Sequence, residues 1–227
     1  MAVLLKNLLA RTPKTEDLEA IKELVMACDI AEHGLVGSTM EDLIVNWQEF
    51  DFNLTSDAWI IVTIKGQIVG FACVWHRDYE QISTFVCVHP EYRARGIGTL
   101  MLRLAEERAR QHIPRARPGA RVTLSGTVSS INEQAKLLFK REGYTPIRQF
   151  WRVGVSLDES VDRSSRHANR KIELDVVSQR LIGAAPLYDR DALYLVREYY
   201  VYEKELRAGE RLCVSTDDAH DVLMVAG

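Results

Sequence analysis

One short stretch of the chain carries most of its legible chemistry. In Val86-Cys87-Val88-His89-Pro90-Glu91-Tyr92-Arg93-Ala94-Arg95-Gly96-Ile97-Gly98-Thr99-Leu100, a β-rich run feeds a glycine-bearing turn that opens a helix. Successive amides in such a turn can point at one anion, and the helix dipole adds positive potential at the same place. Gly96 and Gly98 lack a Cβ, so an oxygen can come close to the backbone. Arg93 and Arg95 can add charge-assisted hydrogen bonds. Together these features suit a pyrophosphate. Taken alone, the two glycines also read as a plain strand-to-helix turn; the strand before, the helix after and the two arginines favour the anion. The pattern is not the GxGxxG of a dinucleotide fold, and no Gly-Lys-Ser/Thr follows it.

The surrounding elements must hold that loop. Leu18, Ile21, Leu24, Val25 and Cys28 recur at helical spacing after Pro13 and Thr15, with Glu16, Asp17 and Glu19 at the positive end. Gly34 and Gly37 mark a loop, and Ser38-Thr39-Met40-Glu41 resembles a capping box opening a second helix through Trp47. The runs 58–64 and 68–75, separated by Lys65-Gly66-Gln67, predict a hairpin. A third strand is expected over Ile82 to Val88. The helix after Gly98 carries a stripe of Leu100, Met101, Leu104, Ala105 and Ala109. A strand over Ala120 to Val128, a helix over Asn132 to Glu142 and a strand over Phe150 to Leu157 come next. Residues 158–171 are polar and read as a linker. Beyond it, strand character is expected from Ile172 to Ile182 and a helix from Asp189 to Leu206, carrying Tyr194, Tyr199, Tyr200 and Tyr202.

Arg93-Ala94-Arg95-Gly96-Ile97-Gly98 resembles the R/Q-x-x-G-x-G/A signature of the GNAT superfamily of N-acyltransferases. Downstream, Asn132-Glu133-Gln134-Ala135-Lys136-Leu137-Leu138-Phe139-Lys140-Arg141-Glu142-Gly143-Tyr144 is similar to the family's N-x-x-A-x-x-L-(Y/F)-x-x-x-G-(F/Y) helix. The resemblance covers about residues 1 to 157, and 51–71 weakly resembles mycothiol-synthase-like members. It implies an α/β fold of the α+β type: a mixed, mostly antiparallel sheet flanked by helices, with acyl-CoA between two splayed strands, here Ile82 to Val88 and Arg121 to Val128. It also implies a pantetheine arm paired with Val86 and Val88, and a pyrophosphate cradled by amides of Arg93, Ala94, Arg95, Gly96, Ile97, Gly98 and Thr99. The Val86 amide would act as oxyanion donor, and Asn132 would contact the CoA arm. Relatives often place a glutamate where Ile82 stands, so Glu80, two residues earlier, is the expected base; its other reading is a solvated carboxylate at a strand end. Many relatives place a tyrosine acid where Phe139 stands, and Tyr144 falls in a Gly-aromatic pair that packs in the core.

The resemblance therefore implies a GNAT-type acyltransferase. It would move an acetyl group from acetyl-CoA to a primary amine of a small molecule, by direct attack in a ternary complex. The alternative is a non-catalytic acyl-CoA-binding module. The expected organisation is a GNAT-like domain over 1–157, a linker over 158–171, and a C-terminal extension over 172–227, with a partial second GNAT unit or a homodimer contact left open. The acceptor should be met by residues 28–50, where Glu32, His33, Glu41 and Asp42 mildly favour a cation.

Composition narrows the rest. The 227 residues are 47% apolar and 27% charged, with a net charge of −3, which excludes global disorder and implies no polyanion partner. Cys28, Cys73, Cys87 and Cys213 form no CxxC pair and no zinc spacing, so no metal is expected, and a reducing, cytoplasmic setting is. The apolar start MAVLLKNLLAR is broken by Lys6 and Asn7, and no run reaches membrane-span length. The arginines at 103, 108, 110, 115, 117 and 121 read as a solvated face or as a basic rim near a CoA phosphate. No aromatic residues interleave with them as a nucleic-acid surface would require.

Overall fold

The computed structural model describes residues 3–5, 7–34, 44, 52–156, 171–178 and 193–210. Among the described residues nine strands form one sheet: β1 (Val3–Leu5), β2 (Leu8–Arg11), β3 (Ala58–Thr63), β4 (Ile68–Arg77), β5 (Gln81–Val88), β6 (Val122–Ser129), β7 (Thr145–Ser156), β8 (Lys171–Ser178) and β9 (Leu193–Arg207). Their spatial order is β1-β2-β3-β4-β5-β6-β9-β7-β8. All neighbouring pairs are antiparallel except β5 with β6. The helices are α1 (Leu18–His33), the single turn α2 (Leu54–Asp57), α3 (Ile97–His112) and α4 (Glu133–Arg141). This is the mixed, mostly antiparallel sheet flanked by helices that the motifs imply.

Alternation along the strands assigns each face its helix. Phe71, Cys73 and Cys87 pack with Ile21, Leu24, Val25 and Cys28 of α1. On the other face, Val69 and Ala72 meet Ile97 and Met101 of α3, while Val74, Ile82 and Leu124 meet Leu102 and Ala105. The apolar stripes read from the sequence are therefore the buried faces of α1 and α3. Gly34, at φ 74, ends α1 by donating to the Ile30 carbonyl at 2.8 Å.

The chain beyond β7 departs from expectation. The segment expected as a helix from Asp189 to Leu206 is β9, a strand set between β6 and β7. Two open sheet edges give the backbone of β9 partners on both sides, which outweighs local helix preference. Val201 and Tyr202 are adjacent, point to opposite faces and are both buried, as a central strand requires. The expected boundary at residue 157 falls just after β7, and the two later strands, β8 and β9, belong to the same sheet. The expected helix from Ser38 to Trp47 lies outside the described residues, apart from Ile44.

Candidate active site

A groove opens where two strands part. β5 and β6 pair from Gln81↔Thr123 to Thr84↔Gly126 and no further. β5 stays with β4 up to Val88, while β6 follows β9 to Ser129↔Tyr199. The Phe139 ring of α4 sits at the fork: a Cβ on Gly126 would lie 2.6 Å from it, so only glycine fits there. The resulting cavity, about 810 Å³, is lined by both strands, the end of α1, the loop after β5, and the starts of α3 and α4.

Strand register decides what the β5 edge offers. The His89 amide donates to the Val69 carbonyl at 2.9 Å, and Gly70 stands opposite Val88. Antiparallel alternation therefore turns the backbone groups of Val86 and Val88 away from β4, toward the edge that β6 has left. The Val88 carbonyl accepts from Cys28 Sγ and from Arg93 Nε, each at 3.3 Å. The edge expected to hold a pantetheine arm thus faces the groove.

The anion loop comes next. Pro90–Tyr92 forms a 3-10 turn whose Glu91 amide donates to His89 Nδ1 at 3.3 Å, so His89 is a cap. Gly96, at φ 81, caps α3, a conformation that glycine adopts without strain. The first helical bond runs from Leu100 to the Gly96 carbonyl at 3.0 Å, which leaves the amides of Ile97, Gly98 and Thr99 as the unsatisfied start of the helix. Ala94, Gly96, Gly98 and Thr99 line the groove together with Arg93 and Asn132.

Three expected residues are placed differently. Arg95 turns away, donating to the Glu91 carbonyl at 2.9 Å and lying 4.7 Å over the Tyr92 ring. The Ile97 side chain is core, leaving only its amide to the loop. Glu80 is not brought to the groove: it sits in the turn before β5, 4% exposed, clamped by Arg117 Nε at 2.7 Å and Nη2 at 3.3 Å. Arg117 holds its carboxyl below the usual range. The apolar substitutions noted in the sequence are buried: Ile82 and Phe139 are core, and Tyr144 is buried edge-on to Phe139 with its hydroxyl unpartnered and its pKa pushed up by burial.

Two carboxylates of α1 do reach the groove, Asp29 and, in the last turn, Glu32. Glu32 is the one that meets both motifs. Its Oε1 accepts from Arg93 Nη2 at 2.9 Å and from Asn132 Nδ2. Arg93 follows β5 and Asn132 follows β6, so Glu32 joins the two lips of the groove. Asn132 is fixed in turn, because its Oδ1 caps α4 by accepting the Ala135 amide at 2.9 Å. Burial raises the Glu32 pKa, against the lowering effect of Arg93 and Asn132. A sequence signal for it existed: Glu32 lies four residues past Cys28, on the same helical stripe.

Beyond Glu32, α1 contributes Asp29 and His33, β7 contributes Phe150 and Arg152, and β9 contributes Tyr199. Asp29 pairs with the buried Arg197 at 3.6 Å, and Phe150 stacks on Tyr199 with ring centroids 5.1 Å apart. Burial lowers the His33 pKa. Arg141, which no motif singled out, donates to Thr99 Oγ1 at 2.7 Å and puts a cation beside the start of α3. All of the arginine run but Arg115, which lies 5.6 Å over the Tyr79 ring, is spent on carboxylates: Arg103 on Glu142, Arg108 on Asp57, Arg110 on Glu106, Arg117 on Glu80, and Arg121 on Glu203 and Glu205. Among the described residues, no group of three or more potential ligands could hold a metal, and no helix is long and apolar enough to cross a membrane.

Comparison with known proteins agrees with this geometry. Residues 55–146 match the family model for an acetyltransferase (GNAT) domain. A GCN5-related N-acetyltransferase from Sphaerobacter thermophilus shares the fold with a TM-score of 0.80 at 19% identity, over 94% of this chain and 100% of that one. The ribosomal-protein-S18-alanine N-acetyltransferase from Escherichia coli is similar with a TM-score of 0.51 at 15% identity, over 89% and 97%. The yncA protein of Salmonella typhimurium, solved with its cofactor acetyl-CoA, has a TM-score of 0.50 at 14% identity, over 93% and 99%. No curated protein matches the chain.

Proposed function

We propose that this chain, whose residues 55–146 match the model for a GNAT acetyltransferase domain, moves the acetyl group of acetyl-CoA directly to a primary amine of a small molecule, both substrates being bound together. The observation that carries this reading is the shared groove, in which the free Val86 edge and the raised-pKa carboxylate of Glu32 face one space.

The residues present fit acetyl-CoA, whose thioester supplies the acyl group and a thiolate leaving group. Val86 and Val88 offer an open strand edge to the amide-bearing arm, in the manner of β-strand addition. The amides of Ile97, Gly98 and Thr99 and the dipole of α3 suit the pyrophosphate, with Arg141 beside them. The Val86 amide is our candidate donor to the thioester oxygen as negative charge develops there, because its backbone faces the edge that β6 has left.

The nucleophile must be neutral, yet a free amine with a pKa near ~10 is mostly protonated at neutral pH. Glu32 is our candidate to take that proton, since its bonds to Arg93 and Asn132 both fall on Oε1 and Oε2 has no donor among the described residues. The amine nitrogen then attacks the carbonyl carbon, and as the oxyanion collapses the carbon–sulfur bond breaks and the nitrogen gives its second proton to water. The departing thiolate takes a proton from Glu32 or from water, since neither Phe139 nor Tyr144 can supply one. Asp29, Glu32 and the Phe150–Tyr199 stack favour an acceptor with a cationic amine and an apolar body. Among the described residues Cys28, Cys73 and Cys87 are thiols rather than disulfides, which suits a reducing cytoplasm.

The test is release of free CoA from acetyl-CoA across a panel of small amines, polyamines, aminoglycosides and peptide N-termini. Turnover with at least one small primary amine is the expected result. Acetyl-CoA binding without turnover on any acceptor would overturn it in favour of a binding module.

A further inference from the structure

Two thiols line the groove proposed to hold the thioester. Cys28 comes from α1 and Cys87 from β5, and they alone among the described cysteines line the cavity. They are 7% and 8% exposed, while Cys73 is sealed in the core. The two side chains pack in one cluster between α1 and the sheet, close enough for each to shift the other's pKa. Cys28 Sγ also donates to the Val88 carbonyl at 3.3 Å, the same oxygen that Arg93 Nε reaches at 3.3 Å. Cys28 therefore stands beside a guanidinium, packed near a second thiol, and against Val88, two residues along the edge from the Val86 amide proposed to meet the thioester.

We propose that Cys28 and Cys87 form a thiol-exchange site for CoA disulfide, with Cys28 as the attacking thiol and Cys87 as the resolving one. The proposal rests on the acyl-CoA reading of the groove. In the first step the Cys28 thiolate attacks one sulfur of the CoA disulfide. A Cys28–CoA disulfide forms, the original sulfur–sulfur bond breaks, and one CoA leaves as its thiolate. In the second step Cys87, having given up its proton, attacks Cys28 Sγ; the second CoA leaves and a Cys28–Cys87 disulfide remains. The protein dithiol loses two electrons, CoA disulfide gains them, and the two thiol protons end on the released CoA molecules. Local charges favour this order. Contact with Cys87 and the charge of Arg93 lower the Cys28 pKa, whereas contact with Cys28 and burial raise that of Cys87. The disulfide form of the enzyme's own co-substrate would thus report the thiol balance of the cell at the acyl site.

The experiment uses the reduced full chain with CoA disulfide, read by intact mass and by peptide mapping. Wild type should give a Cys28–Cys87 disulfide, reversed by dithiothreitol. Cys87→Ser should stop at a Cys28–CoA adduct that no longer binds acetyl-CoA, and both Cys28→Ser and Cys28→Ala should give neither product. Binding should make CoA disulfide react at least about tenfold faster than glutathione disulfide, because a docked reagent acts at an effective concentration in the mM range. Equal rates, or labelling confined to Cys73 and Cys213, would overturn the proposal. Calorimetry of the reduced chain with acetyl-CoA separates the two failures. Binding without exchange sinks the thiol site alone, whereas loss of both sinks the acyl-CoA reading as well.

Discussion

Glu32, half-buried, and Glu80, buried, are both carboxylates answered by an arginine, yet their surroundings push them in opposite directions. Two nitrogens of Arg117 grip Glu80, and that hydrogen bonding outweighs the cost of burial. For Glu32 burial wins over a single nitrogen of Arg93. A proton acceptor works only when deprotonated, so transfer should rise as pH climbs through the raised Glu32 pKa and fall below it. Glu32→Gln should lower kcat by about 10²-fold and erase that acid limb, as measured in a pH–rate profile. Glu80→Gln should leave the profile in place and act on stability instead. Its lowered folded pKa contributes stability that is present above the unfolded carboxyl pKa and lost as pH falls through the folded one. The variant should therefore show a lower Tm at neutral pH and a flatter loss of Tm toward acid. The sequence pointed to Glu80 because it counts back along a strand, but β5 begins at Gln81 and Glu80 belongs to the turn before it. No local pattern reveals that Arg117, far along the chain, would take that carboxylate.

Among the elements, the groove depends on a fork that one ring and one glycine hold open. Gly126→Ala would place a methyl against the buried Phe139 ring and should cost about 1–3 kcal/mol in denaturant unfolding. Gly98→Glu tests the anion seat. Its Cβ would stand 3.1 Å from Leu138 Cδ2, and a carboxylate at the start of α3 would repel a pyrophosphate. Acetyl-CoA affinity should drop at least about tenfold, or ~1.4 kcal/mol, by calorimetry, with the far-UV spectrum retained. Both motif-bearing elements, α3 and α4, were legible because glycine stops, an asparagine cap and apolar stripes are local signals. β9 was not, since its residues suit a helix or a strand and the choice was made by two distant edges needing a partner.

For the molecule as a whole, the part that looked like an appendage is structural. β9 pairs with β6 from Val122↔Arg207 to Ser129↔Tyr199 and with β7 from Thr145↔Glu203 to Val155↔Leu193. A chain cut after Leu157 would expose both edges along their length, an invitation to aggregate. It should be insoluble or lack a cooperative thermal transition, while the full chain shows one; a soluble product with an unchanged Tm would make β9 dispensable.

The place of β9 also bears on how the protein is made. β6 is one wall of the groove, and its outer neighbour β9 leaves the ribosome only after β6, α4, β7 and β8. The glycine loop and α3 emerge much earlier, with half of their cleft not yet supported. A nascent chain must therefore hold β6 and β7 apart, unzipped, until β9 slides between them. Such long-range closure slows folding and lengthens the time in which strand edges are bare. Acetyl-CoA cannot help the chain through that interval, because the cleft that would hold it is completed only by the strand for which the chain is waiting.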